Sequence, residues 1–479
     1  MNAQVIRPRS IGITSIRAGH FFTVASVELG NTTTKCILMT TNLDTAEIFE
    51  IWKEVRMTRD VRPPAAGEEV FGQTITGTAL TRASVSEFIS DTLISAVKKA
   101  RLDLDRDVHF VVRSTGVTAG FSQPSEVGEM VKALADGCLQ AGVPPRKMTA
   151  SLSEEGLPAE LRPFTWLRKV YFDGAVASSV PPSATEIVAN EMEGELVTAG
   201  MKGAAKSTTI DFRNPAITLD FGTTLAGRVT DDGYPYAKTI GSFAGLAGAI
   251  PDALVRGSGL VDSATGCVLD FHMPDTKPEP GPDPSWAEEV QALISVERVA
   301  EGKSRFGTVP VNPHAADQAG VVILGVDAGV NGSKLSELEK VGKSFVASEG
   351  PAGMGSLIDA VQAMTVERLV GLADSEGLIL PESSLGFTGR AVVTGRKPEF
   401  IAQRLRDRMG RAWAESHHLM FVEDGLAMGA AVAARCMNSM GTRHNPMGGR
   451  KGDKCIMPAR MKLQSHGKRS PGRARTGSS

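Results

Sequence analysis

Residues 22–38 read FTVASVELGNTTTKCIL. Two runs rich in apolar and β-branched residues flank a short polar segment, which predicts two strands joined by a tight loop. The loop places Glu28 near the end of the first strand, Gly30 at the turn, and hydroxyl-bearing residues up to Lys35. Taken alone, such a segment is more often a plain hairpin, but it also fits a loop that holds a phosphate group.

A second segment repeats this outline much further along the chain. Residues 216–230 read AITLDFGTTLAGRVT, so that an apolar strand carries Asp220 near its end and is followed by Gly222, Thr223 and Thr224. A hairpin repeated at domain-sized spacing predicts duplicated domains rather than a solenoid. The repetition also favours the phosphate-binding interpretation over the plain hairpin.

A phosphate loop needs a close backbone, hydroxyl donors and a carboxylate. Glycine lets backbone N–H groups approach phosphate oxygens, and Mg²⁺ keeps most of its water and takes only one or two carboxylates. Glu28 and Asp220 are therefore the predicted catalytic and metal-binding residues. Lys35 either neutralises a phosphate or faces solvent. The predicted phosphate-binding residues are Gly30, Asn31, Thr32, Thr33, Thr34, Lys35, Gly222, Thr223 and Thr224.

Length and composition limit the class of protein. The chain has 479 residues, 42% of them apolar, enough for two or three domains. Its five cysteines show no CxxC pair, which favours a reducing compartment. With no secretory signal and no long apolar run, we expect a cytoplasmic protein that does not enter the membrane.

The C-terminal segment has a distinct composition. From Gly441 onward it carries ten Lys or Arg residues and one acidic residue, whereas the whole chain has a net charge of −2. The segment is rich in Gly and Ser and has no interleaved aromatic residues, so it predicts a disordered basic tail, and nucleic-acid binding is not expected.

The chain resembles a superfamily of ATPases that includes acetate kinase, sugar kinases, Hsp70 and actin. The two loops resemble its phosphate motifs. NEMEGELVTAG (190–200) and DGLAMGAAVAAR (424–435) resemble its connecting helices, and RAVVTGRKPEF (390–400) resembles its adenosine motif. Glu28 stands where the superfamily has aspartate, and Gly395-Arg396 stands where it has Gly-Gly.

The resemblance implies an α/β fold with two ribonuclease-H-like, actin-type domains flanking a nucleotide cleft. It implies ATP and Mg²⁺ as cofactors, with Thr394, Gly395, Arg396 and Lys397 near the adenosine. The expected organisation is an N-terminal arm at 1–20, domains at 21–205 and 206–440, a Pro-rich loop at 274–285, and the tail at 441–479.

Within that superfamily, residues 21–440 resemble the methanogenesis marker protein 14 family of methanogenic archaea. Matching stretches include RMTRDVRPP (56–64), VVRSTGV (111–117), LADGC (134–138) and GVPPRKM (142–148). GSFAGLAGAI (241–250) also resembles the ATPase domain of reductive activators of corrinoid proteins. This chain lacks the cysteine cluster of their iron–sulfur domain, so that half of the activity does not carry over.

Three functions remain open from the sequence. The first is an ATPase that performs conformational work on an unidentified partner, such as a methanogenic enzyme being activated. The second is a small-molecule kinase, which requires a general base, with Asp173 as the candidate. The third is a nucleotide-binding scaffold without turnover. A homodimer is compatible with all three.

Other segments have both a structural and a functional interpretation. LGVDAGVNGSKL (324–335) looks like a third phosphate loop. One of Glu191, Glu193 and Glu195 could face the cleft, because a spacing of two separates them around a helix. The arginines at 56, 59 and 62 could bind an anion.

Overall fold

The computed structural model describes residues 4–115, 124–148, 150–153, 169–172, 191–233, 237, 239–271, 284–318, 320–416, 418–442 and 445–447. The chain is a mixed α/β protein. The strands are β1 (Val5–Ile6), β2 (Arg9–Ser10), β3 (Phe21–Leu29), β4 (Thr33–Asn42), β5 (Ile48–Met57), β6 (Val70–Gln73), β7 (Ala79–Thr81), β8 (Phe110–Thr115), β9 (Ala150–Ser153), β10 (Lys169–Phe172), β11 (Ala216–Phe221), β12 (Leu225–Thr230), β13 (Thr239–Gly245), β14 (Ile294–Arg298), β15 (Arg305–Phe306), β16 (Val309–Pro310), β17 (Val322–Ala328), β18 (Ser384–Thr388), β19 (Leu419–Val422), β20 (Met440–Thr442) and β21 (Asn445–Met447).

The α-helices connect and cover these strands. They are α1 (Ile13–Ala18), α2 (Arg82–Lys99), α3 (Pro124–Gln140), α4 (Glu191–Ala205), α5 (Ala249–Ser258), α6 (Pro284–Ala292), α7 (Pro313–Gln318), α8 (Leu335–Glu349), α9 (Met354–Ser375), α10 (Arg390–Val393), α11 (Lys397–Arg404) and α12 (Gly425–Ser439).

Two sheets share one pattern of strands. The five-stranded sheet has the order β2-β5-β4-β3-β8, and the eight-stranded sheet has the order β1-β19-β18-β11-β12-β13-β17-β14. In each sheet, three consecutive antiparallel strands (β3–β5 and β11–β13) are followed by a parallel strand on the far side of the first (β8 and β18). The repeat inferred from the two hairpins therefore extends to the strands around them.

The N-terminal segment belongs to both sheets rather than forming a separate arm. β1 pairs in parallel with β19 of the large sheet, and β2 pairs in parallel with β5 of the small sheet. The ion pair between Arg7 and Glu423 adds to the first contact. Residues 4–20 are thus fastened because their backbone groups satisfy strand edges that would otherwise face solvent.

Helices α4 and α12 pack closely enough that glycine is required at the contact. A Cβ atom on Gly200 would lie 1.9 Å from the carbonyl oxygen of Gly425, and one on Gly429 would lie 1.7 Å from that of Leu196. Both helices contribute to a buried apolar cluster that also contains Val24 from the small sheet. This cluster includes Met420 and Val422 of β19, so it joins the two sheets.

The RAVVTGRKPEF stretch begins with a helical turn beside the site. The apolar residues 391–393, two of them β-branched, favour a strand by composition, but they lie in the short helix α10. Three apolar residues with two valines do not distinguish a strand from one helical turn, since periodicity needs a longer window. Gly389, with φ of 92°, reverses the chain after β18 and starts the turn.

The described part of the C-terminal tail contains some structure. β20 and β21 pair as a short antiparallel hairpin, so residues 441–442 and 445–447 are not the irregular chain expected there. Most of the Pro-rich loop at 274–285, the rest of the tail and Asp173 lie outside the described residues.

Candidate functional site

The tips of the two hairpins meet. The hydroxyl oxygens of Thr32 and Thr223 lie 2.7 Å apart, and Arg390 donates a hydrogen bond to Thr32 at 3.2 Å. A Cβ atom on Gly30 would lie 2.7 Å from the carbonyl oxygen of Thr33, so this turn requires glycine. The N–H of Gly248 donates to the carbonyl of Gly222 at 2.8 Å and holds the second tip.

A cavity of about 430 Å³, here called the central cavity, lies beside these tips. It brings together most of the predicted site and adds residues from α4, Gly389 and α10. Its lining residues are Glu28, Gly30, Asn31, Thr33, Lys35, Glu193, Asp220, Gly222, Thr223, Thr224, Gly389 and Arg390.

Two predicted phosphate-loop threonines lie elsewhere. Thr34 is fully buried on the opposite face of β4, where its hydroxyl lies 3.0 Å from that of Thr58. Neighbouring residues of a strand point to opposite faces, so Thr33 and Lys35 reach the cavity and Thr34 does not. Thr32 stands at the contact between the tips and lines a neighbouring cavity.

The structure does not bring Thr394, Gly395, Arg396 and Lys397 to the central cavity. Lys397 is buried and donates to Asp359 at 3.0 Å, and the backbone N–H of Arg396 donates to the same carboxylate at 2.8 Å. The hydroxyl of Thr394 donates to the carbonyl of Arg390. These contacts give the segment a structural role, and its approach to an adenosine stays a prediction.

Gly389 and Arg390 occupy the position at the end of β18 instead. A Cβ atom on Gly389 would lie 2.3 Å from a carboxylate oxygen of Asp220, so glycine at this position leaves room for the Asp220 side chain. Arg390 is paired with Asp252 of α5 through both Nη atoms. The apolar run SLGFT was the sequence signal for a strand that ends just before Gly389. Nothing in the sequence indicated that Asp252 pairs with Arg390.

The carboxylates of the central cavity have unequal surroundings. Glu28 accepts a hydrogen bond from Lys35 at 3.5 Å, and the charge of Glu28 is the main cause of the raised pKa of Lys35. Burial, followed by the charge of Glu28, raises the pKa of Asp220 to about 7. Asp220 is therefore poised to exchange a proton near neutral pH.

Glu193, one of the acidic trio 191, 193 and 195, lines the central cavity. Burial is the main cause of its raised pKa, followed by the charges of Asp220 and Glu28. Its Oε2 atom is buried and has no hydrogen-bond partner among the described residues. Glu195 instead pairs with Arg228 at 3.0 Å. Glu193 is thus a second carboxyl group that favours its protonated form.

The donor set fits a magnesium ion that is shared with phosphate oxygens. Within the part of the chain that the structure describes, no three His, Cys, Asp or Glu side chains form a metal-binding group. Mg²⁺ does not need such a group, because one or two carboxylates, water and substrate phosphates complete its coordination. Glu28 and Asp220, which both line the cavity, match that requirement.

The other candidate segments are accounted for by internal contacts. Asp327 accepts backbone hydrogen bonds from Asn331 and Gly332, so its carboxylate holds the loop of the expected third phosphate motif. Arg62 pairs with Glu68 and Glu87. Arg59 forms two hydrogen bonds of 2.7 Å with Asp270, although it also lines the neighbouring cavity.

Solved structures give only distant likenesses. The reductive activator for corrinoid,iron-sulfur protein is 12% identical, with a TM-score of 0.32 over 87% of this chain and 60% of that chain. The ethanolamine utilization protein EutJ from Carboxydothermus hydrogenoformans is 11% identical, with a TM-score of 0.35 over 86% of this chain and 89% of that chain. Scores of this size do not establish a shared fold or activity. Separately, no helix among the described residues combines the length and apolar character needed to cross a membrane.

Sequence relatives are much closer. An uncharacterized protein of Methanothermobacter thermautotrophicus is 51% identical over 458 residues, which cover 94% of this chain and 84% of the relative. One of Methanocaldococcus jannaschii is 49% identical over 459 residues, covering 96% of this chain and 94% of the relative. A family model also matches residues 21–464. The chain belongs to the DUF2114 family, described as uncharacterized proteins conserved in archaea.

Proposed function

We propose that this protein binds ATP with Mg²⁺ and hydrolyses it, and that the accompanying movement acts on a protein partner. In this proposal, residues 21–205 and 206–440 are two ribonuclease-H-like domains with the nucleotide between them. The chain would belong to the methanogenesis marker protein 14 family, and its partner would be a methanogenic enzyme that it activates.

The meeting of the two hairpin tips is the observation that carries the proposal. Thr32 and Thr223 come from the β3–β4 and β11–β12 hairpins, and their hydroxyl oxygens are 2.7 Å apart. The repeated strand order around each hairpin supports two related domains that face each other at this point. A pair of phosphate groups beside the tips would contact both halves of the chain at once.

Different residues of the central cavity would bind the phosphates and the magnesium ion. The backbone of Gly30 and Gly222, with the hydroxyls of Thr33 and Thr223, would hold the phosphates. Glu28 and Asp220 would hold Mg²⁺ through its water molecules. The bound ion would supply charge compensation for the β- and γ-phosphates, which is most of what phosphoryl transfer requires.

Asp220 would also act as the general base that accepts the proton of the attacking water. The water oxygen forms a bond to the γ-phosphorus while the bond to the ADP oxygen breaks, and the water proton passes to the Asp220 carboxylate. A pKa of about 7 suits this exchange, because a general base works best when its pKa is near the working pH. Glu193, also in the cavity, would receive or return a proton at the next step.

Transmission to a partner would use the contact between α4 and α12. Their glycine-lined packing lies in the cluster that joins the two sheets. The Thr32–Thr223 contact lies at the facing tips. Binding and loss of the γ-phosphate at the tips would therefore open and close the two sheets around that helix pair, which is a known form of domain movement.

The test is ATP binding and phosphate release by the purified protein, with and without Mg²⁺. Wild type is compared with Asp220→Ala and with Glu195→Ala, a control on the surface side of the helix that carries Glu193. Binding with release that depends on Asp220 but not on Glu195 supports the proposal. Binding without any release would favour the nucleotide-binding scaffold, and no binding at all would overturn the proposal.

A second candidate is a small-molecule kinase, since another cavity adjoins the phosphate site. A metabolite held there could accept the phosphate in place of water. Transfer of labelled phosphate from ATP to a component of a small-molecule extract, rather than to water, would distinguish this activity from hydrolysis.

A further inference from the structure

A second cavity of about 440 Å³, here called the side cavity, lies on the other side of the first hairpin tip. Asn31 lines both cavities, so only the tip separates them. Arg59 and Thr76 line the side cavity from the small-sheet half, and Arg256 and Thr265 line it from the large-sheet half. Part of this space is open to solvent, and its enclosed part holds only a few water-sized groups, so it suits one oxyanion group of a ligand rather than a whole metabolite.

The two arginines of the side cavity pair with carboxylates that lie outside its lining, Asp270 and Glu339. Its one lining carboxylate, Asp252, already accepts hydrogen bonds from Arg390 and from the backbone N–H of Val268. Two arginines line the same space. The walls therefore offer cationic donors, whereas the acidic side chain among them has its acceptors in use.

Both arginines retain N–H groups beyond their ion pairs. Arg256 uses Nε for Glu339 and Nη1 for the carbonyl of Gly266, and its Nη2 has no acceptor among the described residues. Arg59 uses Nη1 and Nη2 for Asp270, and its Nε has no acceptor within the same ranges. The side chain of Arg256 is only 10% exposed, so its position is fixed by packing.

Guanidinium groups in a partly buried site select oxyanions. Their N–H groups match the oxygens of a carboxylate or phosphate, and such charge-assisted hydrogen bonds are about twice as strong as neutral ones. We propose that the side cavity binds a small metabolite through an oxyanion, a carboxylate or a phosphate group, held by Arg59 and Arg256. This site is separate from the proposed ATP site and needs no nucleotide.

The position of the side cavity couples it to both sheets. Arg59 lies in a 3₁₀ helix, Thr58–Asp60, that follows β5, and its partner Asp270 lies in another, Val268–Asp270, that follows α5. The two hydrogen bonds between them cross from one half of the molecule to the other. An anion bound to Arg59 and Arg256 would bridge the same gap and stabilise the closed arrangement.

The experiment is calorimetric titration of the nucleotide-free protein with inorganic phosphate and, separately, with succinate. We expect one of the two anions to bind. Arg256→Gln should weaken that binding by about tenfold or more, as expected for loss of a charge-assisted hydrogen bond. Arg298→Gln, which removes a surface arginine paired with Glu376, should leave it within about twofold.

Two further variants keep the result interpretable. Thr33→Val alters the central cavity but not the side cavity, so it should weaken only phosphate bound in the central cavity and leave the binding that depends on Arg256 unchanged. Arg256→Lys keeps the charge without the planar fork and decides the matter if Arg256→Gln does not fold. The proposal is overturned if neither anion binds, if both Arg256 variants bind as wild type, or if Thr33→Val alone abolishes binding. ATP binding is measured apart, so failure of the ATP site leaves this result intact.

Discussion

The two hairpins place an acid at corresponding points, yet the two acids differ in what lies opposite them. Glu28 faces Lys35 across the β3–β4 pair, whereas Asp220 faces Ala226 across the β11–β12 pair. Glu28 therefore has a cation on the adjacent strand. Asp220 is 7% exposed and has none, and its pKa rises to about 7.

Under the proposed function, this difference suits the two acids to two chemical roles. A cross-strand cation stabilises a fixed negative charge, and a small apolar partner leaves a carboxyl group that exchanges protons. In that proposal, Glu28 mainly holds the magnesium ion and Asp220 mainly transfers the proton. Variants of Asp220, Glu28 and Lys35 test whether the two acids differ in this way.

Asp220→Asn should have the largest effect on activity. Removal of a proton acceptor typically lowers a rate by about 10²–10⁴-fold, so phosphate release should fall by at least about 100-fold while ATP binding persists. Glu28→Gln should mainly raise the Mg²⁺ concentration needed for half-maximal release. The two roles would be reversed if Glu28→Gln abolished release and Asp220→Asn altered only the Mg²⁺ requirement.

Asp220 should also make stability depend on pH. Its pKa in the folded state, about 7, lies above the ordinary aspartate value of about 3.9, so the folded state binds the extra proton. This contribution is present below about pH 4 and is lost as pH rises to about 7, by on the order of 4 kcal/mol at most. Urea unfolding of wild type between pH 5 and 8 should show this slope.

Asp220→Asn should flatten that slope, because the amide does not titrate. Glu195→Gln should leave it unchanged, since Glu195 pairs with Arg228 outside the central cavity. An unchanged slope in Asp220→Asn would assign the effect to another group, and Glu193→Gln would then be the next variant to measure.

Lys35→Met should change both stability and proton exchange. Loss of the cation leaves Glu28 without its partner, which should cost about 2 kcal/mol for a pair that is partly buried. Lys35 also lowers the pKa of Asp220 through its charge, so its removal should move the pH profile of phosphate release upward.

Lys53→Met is the matched control for Lys35. Lys53 pairs with Glu423 and Asp424 and is also partly buried, so its removal should cost a similar free energy of unfolding. Lys53 is not itself among the groups that shift the pKa of Asp220, and its partner Asp424 is the smallest of them, so the pH profile should move less than in Lys35→Met. Equal shifts in the two variants would contradict the specific coupling of Lys35 to Asp220.

The contact between the hairpin tips should give the smallest effect. Thr32→Val and Thr223→Val each remove one side of a hydrogen bond between hydroxyls, and each should lower the free energy of unfolding by about 1 kcal/mol. The double variant should lose less than the sum of the two, because they share one interaction. Strict additivity would mean that the tips do not hold each other in solution.

The sequence predicted the hairpins because their signal is local. The strand–loop–strand pattern of residues 22–38 corresponds to β3 and β4, and that of residues 216–230 corresponds to β11 and β12. Alternation along β4 even explains why Thr34 leaves the site, but only once Lys35 is known to face Glu28. The direction of a strand's faces depends on the whole sheet, and a short motif does not contain it.

The parts of the site that depend on distant contacts could not be predicted. Arg390 and Asp252 are separated by 138 positions, and neither residue has a local pattern that requires the other. In SLGFTGRAVVTGRK, both Gly389 and Gly395 follow an apolar run, so the sequence allows either to end the strand. The pairing of β18 with β11 brings Gly389 to Asp220, and that pairing depends on tertiary structure rather than on the local sequence.

The attachment of β1 to β19 has a consequence for synthesis of the chain. Arg7 and Glu423, which flank this pair, lie 416 positions apart. During translation, β1 cannot pair until β19 has also left the ribosome. The large sheet is therefore completed only as the C-terminal helix α12 emerges, and contacts of such long range make folding slow. Until then the edge of β19 stays open to other chains, so a nascent chain of this protein is exposed to aggregation for most of its synthesis.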